Sequence, residues 1–338
     1  MKIFITGGTG FIGRRLAEKL VTLGHEVIML IRDPSKVTAF KSDKTTYIKG
    51  DIFDLGALNQ GMAGCDWVFH LAAFTKPWSK DPSQAYRTNV TGTINVIETA
   101  INNSVKRVII TSTAGTMGFS SNGHPTNEET NTNQEYQTLY DKTKAEAEKK
   151  ALHYSKKGVE IIITNPSRIY GPGRLSKSNS LTKIIKWYSA GLWRIIPGKG
   201  NSIGNYVYID DVVDGHILAA QSGRNGERYI LGGENLTFID LFRKIGEATG
   251  SQRRLFHLSL RFIRLILKLS ILISGITGIP PIITEDWINK YVNDAILSSD
   301  KAINELGYRI TPFSEGVRET LNWLNTKKTW RKTGRHMH

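Results

Sequence analysis

A glycine-rich turn near the N-terminus, set between a strand pattern and a helix pattern, constrains this chain more than any other feature. The turn is Thr6-Gly7-Gly8-Thr9-Gly10-Phe11-Ile12-Gly13, and it directly follows the apolar run Ile3-Phe4-Ile5. In such a turn Gly7 permits the tight bend, Gly10 lets the backbone approach phosphates, and Gly13 lets the helix pack closely on the strand. The helix N-terminus adds free N–H groups. The pattern therefore predicts a pyrophosphate site that includes Gly7, Gly10, Phe11, Ile12 and Gly13.

Strand patterns alternate with helical patterns through the first half of the chain. The strand patterns are Lys2–Thr6, Glu26–Ile31, Thr46–Lys49, Trp67–Leu71, Arg107–Thr111 and Glu160–Thr164, and the helical patterns lie near 11–23, 81–102 and 136–157. This alternation predicts an α/β fold, a Rossmann-type doubly wound parallel sheet with helices on both faces. Ligands of such sheets bind at the carboxyl ends of the strands.

After Pro166 the alternation breaks down, which predicts a smaller, mainly helical substrate lobe. We assign residues 1–168 to the nucleotide-binding domain, with 205–231 returning to it as a strand–helix–strand segment. The substrate lobe then comprises 169–204 and 232–326, and 327–338 is a basic tail. Further helices are predicted at 237–249, 258–274, 284–291, 299–306 and 313–326.

Composition narrows the class of protein. The 338 residues carry a formal net charge of +15 and one cysteine, Cys65, which excludes an intrachain disulfide. No clustered Cys and His residues indicate a metal, so we predict no metal site. The chain enters a strand at once and Gly7 interrupts the apolar run, so we expect no signal peptide and a cytoplasmic location. No nucleic-acid motif accompanies the charge, which favours attraction to a phosphorylated cofactor or an anionic membrane over nucleic acid.

The end of the second strand bears on the choice of cofactor. An acidic residue about 20 residues beyond the glycines usually holds the ribose 2′-hydroxyl of NAD. Here the strand ends in Ile31 and Arg32, and Arg32, helped by Lys36, can bind a 2′-phosphate through charge-assisted hydrogen bonds. We therefore favour NADP. Asp33 keeps NAD open, although Asp33-Pro34-Ser35 equally fits a turn and a helix start.

Two groups of polar residues are candidates for catalysis. Tyr140 and Lys144 are four residues apart in a helical stretch, which places them on one face. A phenol ionises near pH ~10, and we expect the Lys144 ammonium beside an oxidised nicotinamide to favour the phenolate. The fifth strand ends in Thr111-Ser112-Thr113, where a hydroxyl could donate to a substrate carbonyl. The alternative for these hydroxyls is hydrogen bonding to their own backbone.

Taken together, these motifs resemble the extended short-chain dehydrogenase/reductase family, within the NAD-dependent epimerase/dehydratase superfamily. The matching segments are Thr6–Gly13, Gly50-Asp51-Ile52, His70-Leu71-Ala72-Ala73, Asn89-Val90-Thr91-Gly92-Thr93, Thr111-Ser112-Thr113, Tyr140-Asp141-Lys142-Thr143-Lys144, Asn165-Pro166, Tyr170-Gly171-Pro172-Gly173, Tyr206–Val212 and Arg228–Gly233. They occur in the same order as in the family, and most of them lie in the first half of the chain.

The resemblance implies a role for each matching position. Tyr140 would be the general acid/base, Lys144 would lower its pKa and hold the nicotinamide ribose, and Thr113 would polarise the substrate oxygen. The family more often has serine at the position of Thr113. The remaining cofactor contacts would come from Asp51 and Ile52 at the adenine, Leu71, Ala72 and Ala73 along the dinucleotide, and Pro166 at the nicotinamide. The family also suggests a homodimer.

The residues after Thr113 separate the branches of this family. Dehydratases carry an acidic pair where this chain has Ala114-Gly115, and epimerases usually have Val-Tyr-Gly where it has Thr116-Met117-Gly118. The segment instead resembles the dihydroflavonol-reductase and 3β-hydroxysteroid-dehydrogenase-like branches. This implies an NADPH-dependent reductase of a ketone or aldehyde. An NAD(P)-dependent epimerase of a sugar or nucleotide sugar, and a nucleotide-binding protein without catalysis, are the alternatives.

A basic, apolar helix is predicted at 254–272, in a stretch without acidic residues between Glu247 and Glu285. Its cations recur at spacings of three or four (Arg254, His257, Arg261, Arg264 and Lys268) beside an apolar surface (Leu258, Phe262, Leu265, Ile266, Leu269 and Leu272). We favour a lobe helix whose apolar side lines the substrate pocket. The alternative is peripheral contact with an anionic membrane.

Overall fold

The computed structural model describes residues 1–37, 42–75, 81–120, 123–130, 136, 138–173, 175, 179–277, 288 and 292–333. Its strands are β1 Lys2–Thr6, β2 Glu26–Ile31, β3 Thr45–Lys49, β4 Trp67–His70, β5 Arg107–Thr111, β6 Glu160–Pro166, β7 Arg168–Tyr170, β8 Ile195–Pro197, β9 Ile203–Tyr208, β10 Arg228–Leu231, β11 Glu234–Thr237 and β12 Phe256–Leu258. Its α-helices are α1 Phe11–Thr22, α2 Leu55–Met62, α3 Ser83–Tyr86, α4 Gly92–Asn102, α5 Leu139–Tyr154, α6 Ser180–Ser189, α7 Ile209–Ser222, α8 Phe238–Thr249, α9 Leu260–Thr277, α10 Asp300–Leu306 and α11 Phe313–Thr333.

The centre of the molecule is a seven-stranded parallel sheet in the order β10-β6-β5-β4-β1-β2-β3. The six strands predicted in the first half are confirmed, as is the doubly wound fold. The order changes direction between β1 and β4, and a crevice forms at such a switch point above the carboxyl ends of the two strands. The glycine turn follows β1 directly, so it lies at this crevice.

The two faces of the sheet are buried in separate apolar layers, which is why its strands are runs of Val and Ile. On one face, Ile5 of β1 packs in a cluster with Leu20 of α1. On the other face, Phe4 packs in a cluster with Val96 of α4. Neighbouring residues of one strand thus point to opposite layers, and the helices must cover both sides.

The segment predicted to return to the nucleotide-binding domain, 205–231, contributes strands to two different sheets. β10 joins the central sheet beside β6, but β9 lies between β7 and β11 in a separate three-stranded sheet. A short pair, β8 with β12, forms a third sheet. The central sheet therefore receives only the last strand of this segment. The division into two lobes stays a prediction.

Several short elements were not predicted, including α2, α6 and the strands β7, β8 and β11. A π-helical turn at Arg87–Thr91 joins α3 to α4. The last helix, α11, continues to Thr333 rather than ending at 326. The predicted helix 284–291 lies outside the described residues apart from Ile288. Cys65 is buried before β4, and burial raises the pKa of its thiol to about 11.

Candidate active site

The glycine turn is built as the sequence predicts. Gly7 has φ +72°, and a Cβ atom there would lie 2.6 Å from the backbone nitrogen of Ala72. A Cβ at Gly13 would overlap the carbonyl oxygen of Gly7, so the start of α1 sits directly against the turn. Gly10 is the N-cap of α1, where no described side chain caps the helix and no acidic residue occupies its first turn. The first N–H groups of α1 are therefore oriented for an anion.

The end of β2 presents a cation at the same edge of the sheet. Arg32 is exposed immediately after β2. The carboxylate of Asp33 accepts hydrogen bonds from the backbone N–H and the hydroxyl of Ser35, at 3.0 and 2.7 Å. Asp33 thus starts the short 3₁₀ turn Pro34–Val37, as the alternative interpretation of this tripeptide predicted. The side chain of Lys36 lies outside the described part of the structure.

The other predicted cofactor contacts also follow the carboxyl ends of strands. Asp51 and Ile52 come after β3, where the Asp51 carboxylate accepts from the backbone N–H of Phe53 at 2.8 Å. Ile52 is buried against Gly92. Leu71, Ala72 and Ala73 follow β4 and are partly exposed. The structure therefore brings these positions to one edge of the sheet with the glycine turn.

A buried chain of hydrogen bonds holds the segment after β4 against β1. The N–H of Ala72 donates to the hydroxyl of Thr6 at 3.3 Å, and Thr6 in turn lies 2.7 Å from Nδ1 of His70. Nε2 of His70 lies 2.9 Å from the hydroxyl of Thr93, which donates to the carbonyl of Asn89. Every group is satisfied when His70 is neutral with its proton on Nε2. Burial accordingly lowers the pKa of His70 to about 3, and the nearby charge of Lys144 adds to the effect.

Tyr140 and Lys144 lie on the first two turns of α5. Thr138 caps this helix by accepting from the N–H of Asp141 at 2.9 Å. Lys144 is almost completely buried, and the loss of hydration lowers the pKa of its ammonium to about 8, although Glu148 opposes the effect. Burial, with the carboxylates of Asp141 and Glu148, raises the pKa of the Tyr140 phenol well above its usual range. The expectation that Lys144 and an oxidised nicotinamide together favour the phenolate stays a prediction, because it concerns the protein with its cofactor bound.

Thr113 lies at the start of a 3₁₀ turn, Ala114–Met117, that packs against α5. Its hydroxyl oxygen accepts from the N–H of Gly115 at 3.2 Å, so local backbone bonding does occur here. Among the described residues none accepts its hydroxyl hydrogen, which is therefore able to donate to a ligand. A Cβ at Gly115 would overlap the carboxylate of Asp141, so the missing side chain lets the first turn of α5 approach this segment.

Glu148, which the sequence reasoning missed, joins α5 to the segment around Thr113. Its Oε1 atom accepts from the hydroxyls of Ser112 and Thr116, and from the amide of Asn165 at 2.8 Å. Its Oε2 atom lies 3.5 Å from the guanidinium of Arg228. The same amide of Asn165 donates to the Thr113 carbonyl at 3.1 Å. Glu148 is four residues beyond Lys144, so its helical spacing could have identified it.

Two buried polar atoms beside Pro166 have no hydrogen-bond partner among the described residues. They are the hydroxyl oxygen of Ser167 and the amide oxygen of Asn165, at the carboxyl end of β6. Unpaired buried polar atoms are uncommon, and a bound ligand, ion or water is one common explanation for them. These two atoms lie at the predicted nicotinamide position, and the turn at Gly7 and Gly13 leaves space for a pyrophosphate. The residues present therefore fit a dinucleotide bound along the carboxyl edge of the central sheet.

Comparison with known proteins gives the same classification. The model of the NAD dependent epimerase/dehydratase family matches residues 3–232. The chain is 29% identical over 332 residues to a putative dihydroflavonol 4-reductase of Synechocystis, covering 95% of this chain and 94% of the relative.

Solved structures agree on the fold. The crystal structure of gox2253 is 31% identical with a TM-score of 0.80, and the match covers 96% of this chain and 98% of that one. A UDP-glucose 4-epimerase from Thermotoga maritima, solved with UDP-glucose, has a TM-score of 0.78 at 24% identity, covering 97% and 99% of the two chains. At that identity the second likeness establishes the fold only.

Proposed function

Because this chain belongs to the NAD dependent epimerase/dehydratase family, and is therefore an NAD(P)-dependent enzyme, we propose that it is an NADPH-dependent carbonyl reductase. The substrate class is a small ketone or aldehyde. The observation that carries the proposal is the arrangement of Tyr140 and Lys144 on the first two turns of α5, which packs against the turn that begins at Thr113. A protonated phenol is the form that reduction requires, because the nascent alkoxide takes a proton from it.

The backbone of the glycine turn and the start of α1 would hold the pyrophosphate. Asp51, Ile52 and the segment 71–73 would line the adenosine half, and Pro166 would border the nicotinamide. When bound, the reduced cofactor supplies the hydride that adds to the carbonyl carbon. The carbonyl π electrons move to oxygen, which takes the proton of the Tyr140 hydroxyl.

The remaining groups orient this proton transfer. Thr113 would donate its hydroxyl hydrogen to the substrate oxygen, where negative charge develops. Lys144 has a pKa of about 8, so it carries a positive charge at neutral pH and would stabilise the phenolate left on Tyr140. Its ammonium is also a donor for the nicotinamide ribose. Glu148 keeps the Thr113 segment and α5 in a fixed relation through its shared hydrogen bonds.

A preference for NADP rests on Arg32. The guanidinium is exposed at the carboxyl end of β2, where a 2′-phosphate would bind, while the Asp33 carboxylate accepts hydrogen bonds within its own turn. An Arg fork suits a phosphate because several N–H groups can donate to it at once. NAD is the alternative cofactor.

The same site argues against dehydration and leaves sugar epimerisation as the second candidate. A dehydratase needs an acid near position 115, but a side chain there would overlap the Asp141 carboxylate. Similarity to a relative named as a reductase supports reduction. The fold shared with a UDP-glucose 4-epimerase keeps the alternative worth testing.

The test is NADPH oxidation against a panel of ketones, aldehydes and nucleotide sugars. For a substrate found in this way, we expect Tyr140→Phe to lower kcat by about a hundredfold to ten-thousandfold, with NADPH binding nearly unchanged. Tyr136→Phe is the matched control, because Tyr136 precedes α5 and is exposed. Full activity of Tyr140→Phe would contradict the proposal. Interconversion of sugar epimers without net cofactor use would favour the epimerase instead.

A further inference from the structure

Helix α9 has an unusual distribution of side chains: it buries serines and exposes leucines. The side facing the protein carries Ser270 and Ser274, with Ile263 and Leu267, all less than 9% exposed. A larger apolar set faces solvent, and each member is at least half exposed: Phe262, Leu265, Leu269, Ile271, Leu272 and Ile273. The favoured interpretation, in which the apolar side lines the substrate pocket, is therefore wrong for these residues.

The exposed surface of α9 divides into two parallel stripes. Leu265, Leu269 and Leu272 recur at spacings of four and three, so they form one continuous apolar stripe. Arg261, Arg264 and Lys268 have the same spacings and are all exposed, which makes a basic stripe beside it. The sequence contains no acidic residue between Glu247 and Glu285, so α9 itself supplies no opposite charge. We call the two stripes together the α9 face.

The strand pair before α9 adds to this character. Ile195 of β8 and Phe256 of β12 are register partners, and they are 46% and 54% exposed. The guanidinium of Arg254 lies 5.9 Å from the centre of the Phe256 ring. An arginine over an exposed aromatic ring is again a cation next to apolar surface.

Exposure of this apolar surface to water is energetically unfavourable. Insertion of α9 across a membrane is not the explanation. An ordinary surface helix places its apolar stripe against the core and its polar residues in solvent. A contiguous exposed apolar patch instead marks a docking site. Among the described helices, none is both long and apolar enough to cross a bilayer. A helix that is apolar on one stripe and basic on the next lies in the plane of a membrane interface.

We propose that the α9 face docks on an anionic lipid bilayer. Leu265, Leu269 and Leu272 enter the boundary between headgroups and acyl chains, while Arg261, Arg264 and Lys268 contact anionic headgroups. Charge complementarity favours lipid over a second copy of this chain. A two-fold interface would bring the basic stripe of α9 against its own copy, and α9 carries no carboxylate that could pair with it.

Flotation of the full-length protein with vesicles tests the proposal. The probes are vesicles of phosphatidylcholine alone and vesicles that contain about one third phosphatidylglycerol. We expect wild-type protein to float with the anionic vesicles, to float much less with the neutral ones, and to be released as salt is raised. Arg264→Glu with Lys268→Glu should weaken binding about thirtyfold or more. Leu265→Ser with Leu272→Ser should weaken it about tenfold or more.

Matched variants elsewhere on the surface separate a docking face from a general effect of charge or hydrophobicity. Lys149→Glu with Lys156→Glu makes the same charge change on and just beyond α5, and both side chains are exposed. Leu23→Ser with Leu55→Ser removes two other exposed leucines, each 52% exposed. Both control variants should float like the wild type.

Three outcomes would overturn the proposal. They are wild-type protein that fails to float with anionic vesicles, α9 variants that float as well as the controls, and equal binding to neutral vesicles. Sedimentation velocity without lipid provides the alternative: a dimer that Leu265→Ser with Leu272→Ser dissociates would assign the face to a second copy. Thermal unfolding of each variant shows that its fold is intact. None of these measurements depends on catalysis, so the proposed function is tested separately.

Discussion

Replacing Gly7 by alanine should damage both the fold and the nucleotide site, for two separable physical reasons. The residue has φ +72°, a conformation that costs a residue with a Cβ about 1–2 kcal/mol. In addition, the new Cβ would lie 2.6 Å from the Ala72 nitrogen and 2.6 Å from the Leu71 carbonyl carbon. These are backbone atoms held by β4 and by the hydrogen bond from Leu71 to Thr6, so they cannot rotate away as a side-chain end would.

The structure offers a control that isolates the second reason. Gly250 ends α8 with φ 64° and ψ 16°, and no described atom lies within 4 Å of a Cβ placed there. Gly250→Ala therefore meets only the conformational cost, about 1 kcal/mol. Gly7→Ala adds the overlap, for which overpacking in a rigid site costs about 1–3 kcal/mol more. We expect Gly7→Ala to lose about 2–5 kcal/mol of unfolding free energy.

Urea unfolding at fixed pH measures both variants, with linear extrapolation of the unfolding free energy and comparison of the slopes. A fluorescence titration with NADPH then measures the cofactor site. Gly7→Ala should lose most of its affinity because the turn must shift away from Leu71, whereas Gly250→Ala should bind like the wild type. If Gly7→Ala proves no less stable than Gly250→Ala, the backbone overlap is harmless and the reasoning is refuted.

Three further predictions concern charges at the site. Lys144 has a pKa of about 8 in the folded protein, below its value in the unfolded chain, so the unfolded state binds more protons above pH 8. The free energy of unfolding should therefore rise by about 2 kcal/mol between pH 8 and pH 10. Lys144→Met should remove this pH dependence in urea unfolding, and an unchanged pH dependence would contradict the lowered pKa of Lys144. Arg32→Glu should shift the NADPH-to-NADH ratio of kcat/KM by about tenfold to a hundredfold toward NADH, while an unchanged ratio would remove Arg32 from cofactor selection. Glu148→Gln keeps an acceptor oxygen but loses the charge opposite Arg228, so it should cost about 1–3 kcal/mol of stability at neutral pH. A wild-type midpoint in urea would show that the charge of Glu148 does not stabilise this junction.

The central sheet was predictable because its determinants are local. Buried parallel strands are continuous runs of Val, Ile and Leu, as in β2 and β5, and each is bounded by a turn or a helix start. The glycine turn was predictable for the same reason, since φ above zero at Gly7 and close packing at Gly13 are properties of neighbouring residues. These features need no knowledge of the rest of the chain.

Pairing between distant segments was not predictable in the same way. β9 has the composition of a core strand, yet it pairs with β7 and β11 rather than with a strand of the central sheet. The short strand β7, which follows β6, has a free edge with which β9 forms its hydrogen bonds. Only three residues long, β7 has no periodicity that a pattern could detect. The short helix α2 was missed because two glycines weaken its helical pattern.

The candidate site shows the same limit. The spacing of Tyr140 and Lys144 is visible along one helix, but the contacts of Glu148 with Ser112, Thr116 and Asn165 join segments far apart in the chain. For α9 the sequence contains apolar residues on more than one side, and periodicity cannot decide which side the protein covers. Only the packing of Ile263 and Leu267 shows that the leucine stripe is left outside.

The direction of the pKa change at Tyr140 bears on the proposed reaction. A lysine one turn away suggests a phenol that loses its proton easily, but burial, Asp141 and Glu148 raise the pKa of Tyr140 in the protein alone. A protonated phenol can donate a proton to the substrate, but it must lose that proton before it can act as a base. Reduction of a carbonyl begins with the donor, whereas epimerisation must first take a proton from a sugar hydroxyl. This order of steps supports the reductive direction proposed above; in an epimerase, the positive charge of an oxidised nicotinamide would have to lower the pKa of Tyr140 before the first step.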